Sequence, residues 1–194
     1  VNKMLKVKEI LDFWFGKPED ADYGKIRKFW FTKNREFDQE VRSRFLSVYQ
    51  QAAAGQLDEW QTSPESCLAL IILLDQFPRN MFRSQPQAFA TDPQALGIAQ
   101  YAITQGFDQQ LLPIQRWFIY MPFEHSENLG HQRQSVELFS TLKDDPDCAS
   151  GIDYAHRHLK VIERFGRFPH RNQILGREST PEEVEFLQQP GSSF

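Results

Sequence analysis

A chain of 194 residues with 40% hydrophobic and 13% aromatic content carries enough apolar material for a sizeable core, which excludes a disordered segment. Its net charge of -4 provides no overall field for nucleic acid or an anionic membrane. Two cysteines without metal-type spacing suggest neither a disulfide framework nor a zinc site, and Cys67, inside an apolar run, reads as a buried, reduced thiol.

The pattern predicts one all-helical domain over residues 1–194, with no segment alternating as a strand would. The start, Val1-Asn2-Lys3-Met4-Leu5, lacks the apolar stretch of a secretion signal. The longest apolar run, Cys67 to Leu74, is eight residues, far short of the roughly 20 that span a bilayer. A cytoplasmic location is the default expectation.

The elements follow in order. A helix over Lys6 to Phe15 is closed by Gly16, where a left-handed cap suits glycine. Lys25 to Phe31 reads as a short aromatic-rich helix, and Asn34 caps another that ends at Gly55. Phe13, Trp14, Phe15, Phe29, Trp30 and Phe31 read as packing between these first helices. Ser63-Pro64-Glu65 opens a helix that is apolar nearly all round, and so central. Pro78 should end it near Gln76, because proline lacks the N–H a helix needs. Further helices are expected from Asp92 to Gly106, from Pro113 through Met121, and from a Ser126 cap to about Lys143. After a loop over Asp144 to Gly151, a helix over Ile152 to Phe165 is closed by Gly166, and Thr180 to Glu183 forms the capping box of the last. Short connections favour antiparallel hairpins.

Three polar clusters interrupt this pattern at helix ends. The first is Asp75-Gln76-Phe77-Pro78-Arg79-Asn80, the second Met121-Pro122-Phe123-Glu124-His125-Ser126-Glu127, and the third runs from Arg164 through Asn172 to Thr180. Phe77-Pro78-Arg79-Asn80 is echoed by Phe168-Pro169-His170-Arg171-Asn172. Between His156 and Arg177 six basic residues face one acidic residue, Glu163, so the third cluster needs carboxylates from elsewhere. Polar groups beside core segments must find partners. Asp75, Arg79, Glu124, His125, Arg167, His170 and Arg171 are therefore expected to converge.

The chemistry these clusters offer is narrow. His156 and His158 lie two apart on a helix, about 200° around its axis, and cannot share a metal. No HExxH, ExxH or Cys/His spacing is present, so no metal is expected. No G-x-S-x-G, glycine-rich phosphate loop or dinucleotide fingerprint exists, and no cofactor is implied. His125 and His170 are the candidate acid–base groups.

The blocks Asp12-Phe13-Trp14-Phe15-Gly16, Leu73 to Asn80, Pro122 to Glu127 and Arg164 to Asn172 occur in the order found in the domain-of-unknown-function family numbered 924, which the chain resembles over nearly its whole length. That resemblance implies an all-α fold with tetratricopeptide-like character, either a right-handed superhelix or a compact bundle, and no established activity.

The leading expectation is a binding module. Arg79, Arg167 and Arg171 would hold a small anion or an acidic peptide end. Asn80 and Asn172 would orient it, with Asp75, Glu124 and Glu127 positioning the arginines and His125 and His170 alongside. Partners would include neither nucleic acid nor membrane. One alternative is a hydrolase with His125 or His170 as acid–base, and a second is a closed polar core within an interaction scaffold.

Overall fold

The computed structural model describes residues 2–194, which are predominantly helical, with no strand among them. Helix α1 spans Lys3–Phe15, with the Asn2 side chain accepting from Met4 N, and ends at Gly16 with φ +83°. The short helix expected at Lys25 to Phe31 is a single 3-10 turn over Lys28–Phe31. Helix α2 spans Arg35–Ala53 behind its Asn34 cap.

The central helix departs from expectation. Ser63 caps α3, Pro64–Ile71, but the chain does not stop at Gln76. It widens into a π turn over Ile72–Gln76 and continues as α4, Phe77–Met81, straight through Pro78. Proline at 78 leaves the Leu74 carbonyl without its helical donor. That carbonyl is taken by the Thr91 hydroxyl at 2.6 Å, and the Arg79 guanidinium donates to the Asp75 carbonyl at 2.7 Å. The Thr91 side chain thus replaces the bond that the proline removes, and the wide turn sets Asp75 and Gln76 in the interior, where π turns often mark functional sites.

Helix α5 spans Asp92–Thr104. Helix α6, Pro113–Glu124, likewise passes through its internal Pro122 instead of ending at Met121, and His125 N still donates to the Met121 carbonyl at 3.0 Å. Pro78 and Pro122 therefore sit inside helices, not at turns. Helix α7 spans Leu129–Ser140, and its cap is Asn128, not Ser126. Ser126 instead pairs with the His131 ring at 2.8 Å. Helix α8 spans Ala149–Phe165, three residues longer than expected, and reaches Gly166 in the left-handed region. Gly151 is helical, and a Cβ there would meet the Trp117 indole at 2.8 Å. A 3-10 turn over Pro169–Arg171 and the short α9, Asn172–Leu175, lead to α10, Pro181–Leu187, behind the expected Thr180–Glu183 capping box.

Successive helices α5, α6, α7 and α8 each pack on the next, while α3 lies against α1, α5 and α6. Leu70, Ile71, Leu74, Phe77 and Phe118 are all at most 1% exposed, as expected of a central helix and its neighbour. The core extends from Val7 to Ala155, and Val161, Ile162 and Phe168 form a smaller cluster beside it. Cys67 and Cys148 are free and buried, and burial pushes their thiols up to about 11 and about 12. No helix among the described residues is long and apolar enough to cross a membrane.

Candidate functional site

The π turn, the end of α6, the middle of α8 and the Pro169–Arg171 turn surround one cavity of about 530 Å³. Its polar lining includes Gln76, Arg79, Glu124, His125, His158, His170 and Arg171, and Trp30, Phe31, Phe89, Trp117 and Phe194 supply aromatic walls. The cavity is of a size that holds a small molecule, with the mixed lining such sites have.

Asp75, fully buried, is the anchor on one side. Its Oδ1 lies 2.7 Å from His125 Nδ1, and its Oδ2 accepts from the Gln76 amide at 2.7 Å. Burial raises the Asp75 carboxyl, but His125 and Arg79 outweigh that and hold it below the ordinary carboxylate range. Arg79 is consumed: it grips both oxygens of Asp92 at 2.7 and 2.9 Å and stands 3.8 Å from Asp75. Asp75, Asp92 and His125 do place three ligand-type atoms within 4.8 Å of one another. The Arg79 guanidinium is the cation among them, and its fixed charge opposes a metal ion there.

On the other side, Glu124 Oε1 lies 2.9 Å from His158 Nδ1, which also lies 2.7 Å from the Tyr154 carbonyl. The second oxygen, Glu124 Oε2, is buried without a partner.

Arg171 differs from every other arginine of the clusters. It is 6% exposed, and Nη2 donates to the His125 carbonyl at 3.0 Å. Nη1 lies 3.9 Å from both Asp92 and Glu127, too far for a hydrogen bond, and Nε is buried without an acceptor. Its guanidinium lies 4.5 Å from the Phe89 ring and 4.7 Å from the Phe168 ring. Burial and the neighbouring Arg79 pull it down to about 10, the mark of a cation without enough negative charge around it. His170 Nδ1 is also buried and unpartnered, and burial, with Arg171 next, lowers its pKa to about 3. His170 therefore stays neutral and is unsuited to donate a proton as an imidazolium.

The sequence echo acquires a physical meaning here. Arg79 and Arg171, its two arginines, lie over the same Phe89 ring and reach the same Asp92.

Not every expected residue comes to the cavity. Arg167 grips Glu183 at 2.9 and 2.7 Å and donates to the Glu178 carbonyl, so it fastens α10. Asn172 bonds Ser179, Glu183 and Arg177 and belongs to the same fastening. Glu127 is taken by Arg177 at 2.9 and 3.1 Å, which leaves it a distant counter-charge to Arg171. Asn80 lines the cavity but donates to Asp38, which also holds Arg83. Asp92 reads in the sequence only as a helix opening and His158 only as a histidine that cannot share a metal with His156, while Trp30 and Phe31 read as packing. Trp30 does pack, 6.1 Å from Trp14, yet it also borders the cavity.

Comparison with known proteins agrees with this architecture. No curated protein matches the chain. A solved structure of a protein of unknown function from Agrobacterium tumefaciens is 40% identical, with a TM-score of 0.85, over 96% of this chain and 99% of that one. The sequence profile of a family described as bacterial protein of unknown function, the domain family numbered 924, matches residues 10–191, and the chain belongs to that family.

Proposed function

We propose that this protein binds a small molecule carrying a carboxylate or phosphate on a flat apolar body. The observation that supports this reading is Arg171. A buried guanidinium that lacks acceptors on Nε and Nη1 is costly unless something supplies them. The forked donors of arginine suit an oxyanion, and the aromatic walls suit a planar body. Net charge does not drive the binding, because the other arginines nearby are already paired with Asp38, Asp92 and Glu127. Directed hydrogen bonding does. The cavity volume of about 530 Å³ suits a small molecule better than an acidic peptide end.

Titration calorimetry with phenylacetate, and separately with inorganic phosphate, tests the reading. Saturable binding of either is expected, weakened about 10- to 100-fold in Arg171→Lys, where a point charge replaces a fork. Equal affinity in the variant, or no binding of either anion, would contradict it.

A further inference from the structure

Of the three imidazoles that line the cavity, two are held by the same device. His125 Nδ1 meets the buried Asp75 carboxylate, and His158 Nδ1 meets the buried Glu124 carboxylate. A carboxylate oxygen or a peptide carbonyl only accepts, so the hydrogen of each neutral ring sits on Nδ1 and the lone pair is left at Nε2. No described residue hydrogen-bonds to either Nε2, and the ring centroids are 6.4 Å apart, so one bound molecule can meet both. Carboxylate-held imidazoles of this kind transfer protons.

The parts for covalent catalysis are absent from this arrangement. No hydroxyl or thiol among the described residues bonds to either ring, and both cysteines are in the core with raised thiols. Proton transfer requires only a base, an acid and a cation that fixes the substrate, and His125, His158 and Arg171 supply these.

We propose that the cavity catalyses proton transfer at the carbon beside the carbonyl of a small aromatic 2-oxo acid, interconverting its keto and enol forms. The step rests on the anion-binding reading above, with Arg171 on the carboxylate and the ring against the aromatic wall. His125 Nε2 takes the proton from the carbon next to the carbonyl. The C–H electron pair becomes the C=C bond, and the carbonyl π pair moves to oxygen. That oxygen takes a proton from protonated His158 Nε2. The enol leaves with the atoms and charge of the keto acid, and the two rings return to their starting states by exchange with solvent. His125 is the base because its partner, Asp75, is fully buried, with its second oxygen held by the Gln76 amide and the Arg79 guanidinium 3.8 Å away. The aromatic character of the substrate has a precedent in the cavity itself, where the Phe194 ring stacks on His158 with centroids 3.9 Å apart.

Phenylpyruvate is the probe. Its carbon-bound hydrogens exchange with deuterium in heavy water, which proton NMR follows, while calorimetry measures binding on the same samples. The protein is expected to accelerate exchange about 100-fold over buffer containing equal imidazole. His125→Gln and His158→Gln should each abolish that acceleration while binding phenylpyruvate within about threefold of the unaltered protein. Saturable binding with exchange at the buffer rate would overturn the proposed activity and leave the binding reading standing. Acceleration that persists in both variants would also overturn it. Absence of phenylpyruvate, phenylacetate and phosphate binding would overturn both readings together. Circular dichroism melting of each variant separates lost chemistry from lost fold.

Discussion

The Thr91 hydroxyl donates at 2.6 Å to the carbonyl of Leu74, the acceptor that Pro78 leaves empty four residues later. Leu74 lies in the π turn and Thr91 immediately precedes α5, and their bond allows an apolar helix to run through a proline and carry Asp75 and Gln76 into the interior. Thr91→Val keeps the shape and removes the donor. It is expected to cost about 1–3 kcal/mol, the penalty of an unpartnered buried carbonyl, while Thr91→Ser should retain most of the stability. Urea unfolding of the three proteins checks this, and equal midpoints for Val and Thr would refute it.

Gly151 lets α8 approach the Trp117 indole, one wall of the cavity. Gly151→Ala puts a methyl where only 2.8 Å is available against a rigid ring. The strain is expected to lower stability by about 1–3 kcal/mol, despite the better helix propensity of alanine. It should also displace Trp117 from its stack on Phe31, now 5.5 Å between centroids. Thermal melting and tryptophan fluorescence read the two effects, and an unchanged or higher melting temperature would count against the contact.

Acid should weaken the fold in two windows. His170 is neutral in the folded protein down to about 3, whereas an unfolded histidine gains its proton near 6.5. The unfolded state therefore binds more protons between these values, and stability falls as pH drops from 6.5 toward 3. Glu183 is held at about 2 by the Arg167 hydrogen bond first, against desolvation, with Thr180 and Asn172 assisting. Its contribution is whole above its ordinary 4.5 and is lost as pH falls toward 2. His170→Gln should flatten the upper window by up to about one proton in the slope of stability against pH, and Glu183→Gln should affect only the lower one. Denaturant unfolding from pH 7 to 3 measures both, and an unaltered slope in His170→Gln would contradict the buried neutral imidazole.

Much of this organisation was legible beforehand. Ser63 and Thr180 are caps whose geometry depends on neighbours in sequence, and the apolar run Leu68 to Leu74 could only be central. The convergence of Asp75, Arg79, Glu124, His125, His170 and Arg171 followed from unbalanced charge beside apolar segments. What was hidden depended on distant partners. Pro78 reads as a helix end until Thr91 is known to fill the vacant carbonyl. Asp92 looks like an ordinary helix opening, since Asp-Pro is common there, yet its carboxylate is spent on Arg79. In the sequence Glu183 shows only its place in the capping box. A carboxylate has two oxygens with room for several donors, so the same residue that closes the capping box also consumes Arg167 and accepts from Asn172. The spacing of His156 and His158 excludes a shared metal but says nothing of either ring alone, and so leaves the place of His158 in the cavity hidden.

The central claim is that Arg171 is a vacant oxyanion donor. Nitrogen-15 NMR of the arginine Nε–H groups during a phenylacetate titration tests it most directly, with the Arg171 signal assigned by its loss in Arg171→Lys. The expected result is a saturable shift of the Arg171 resonance, with slower solvent exchange, while the signals of Arg167 and Arg177, already held by Glu183 and Glu127, stay in place. An Arg171 resonance that does not move at any phenylacetate concentration, or a shift confined to the other arginines, would contradict it.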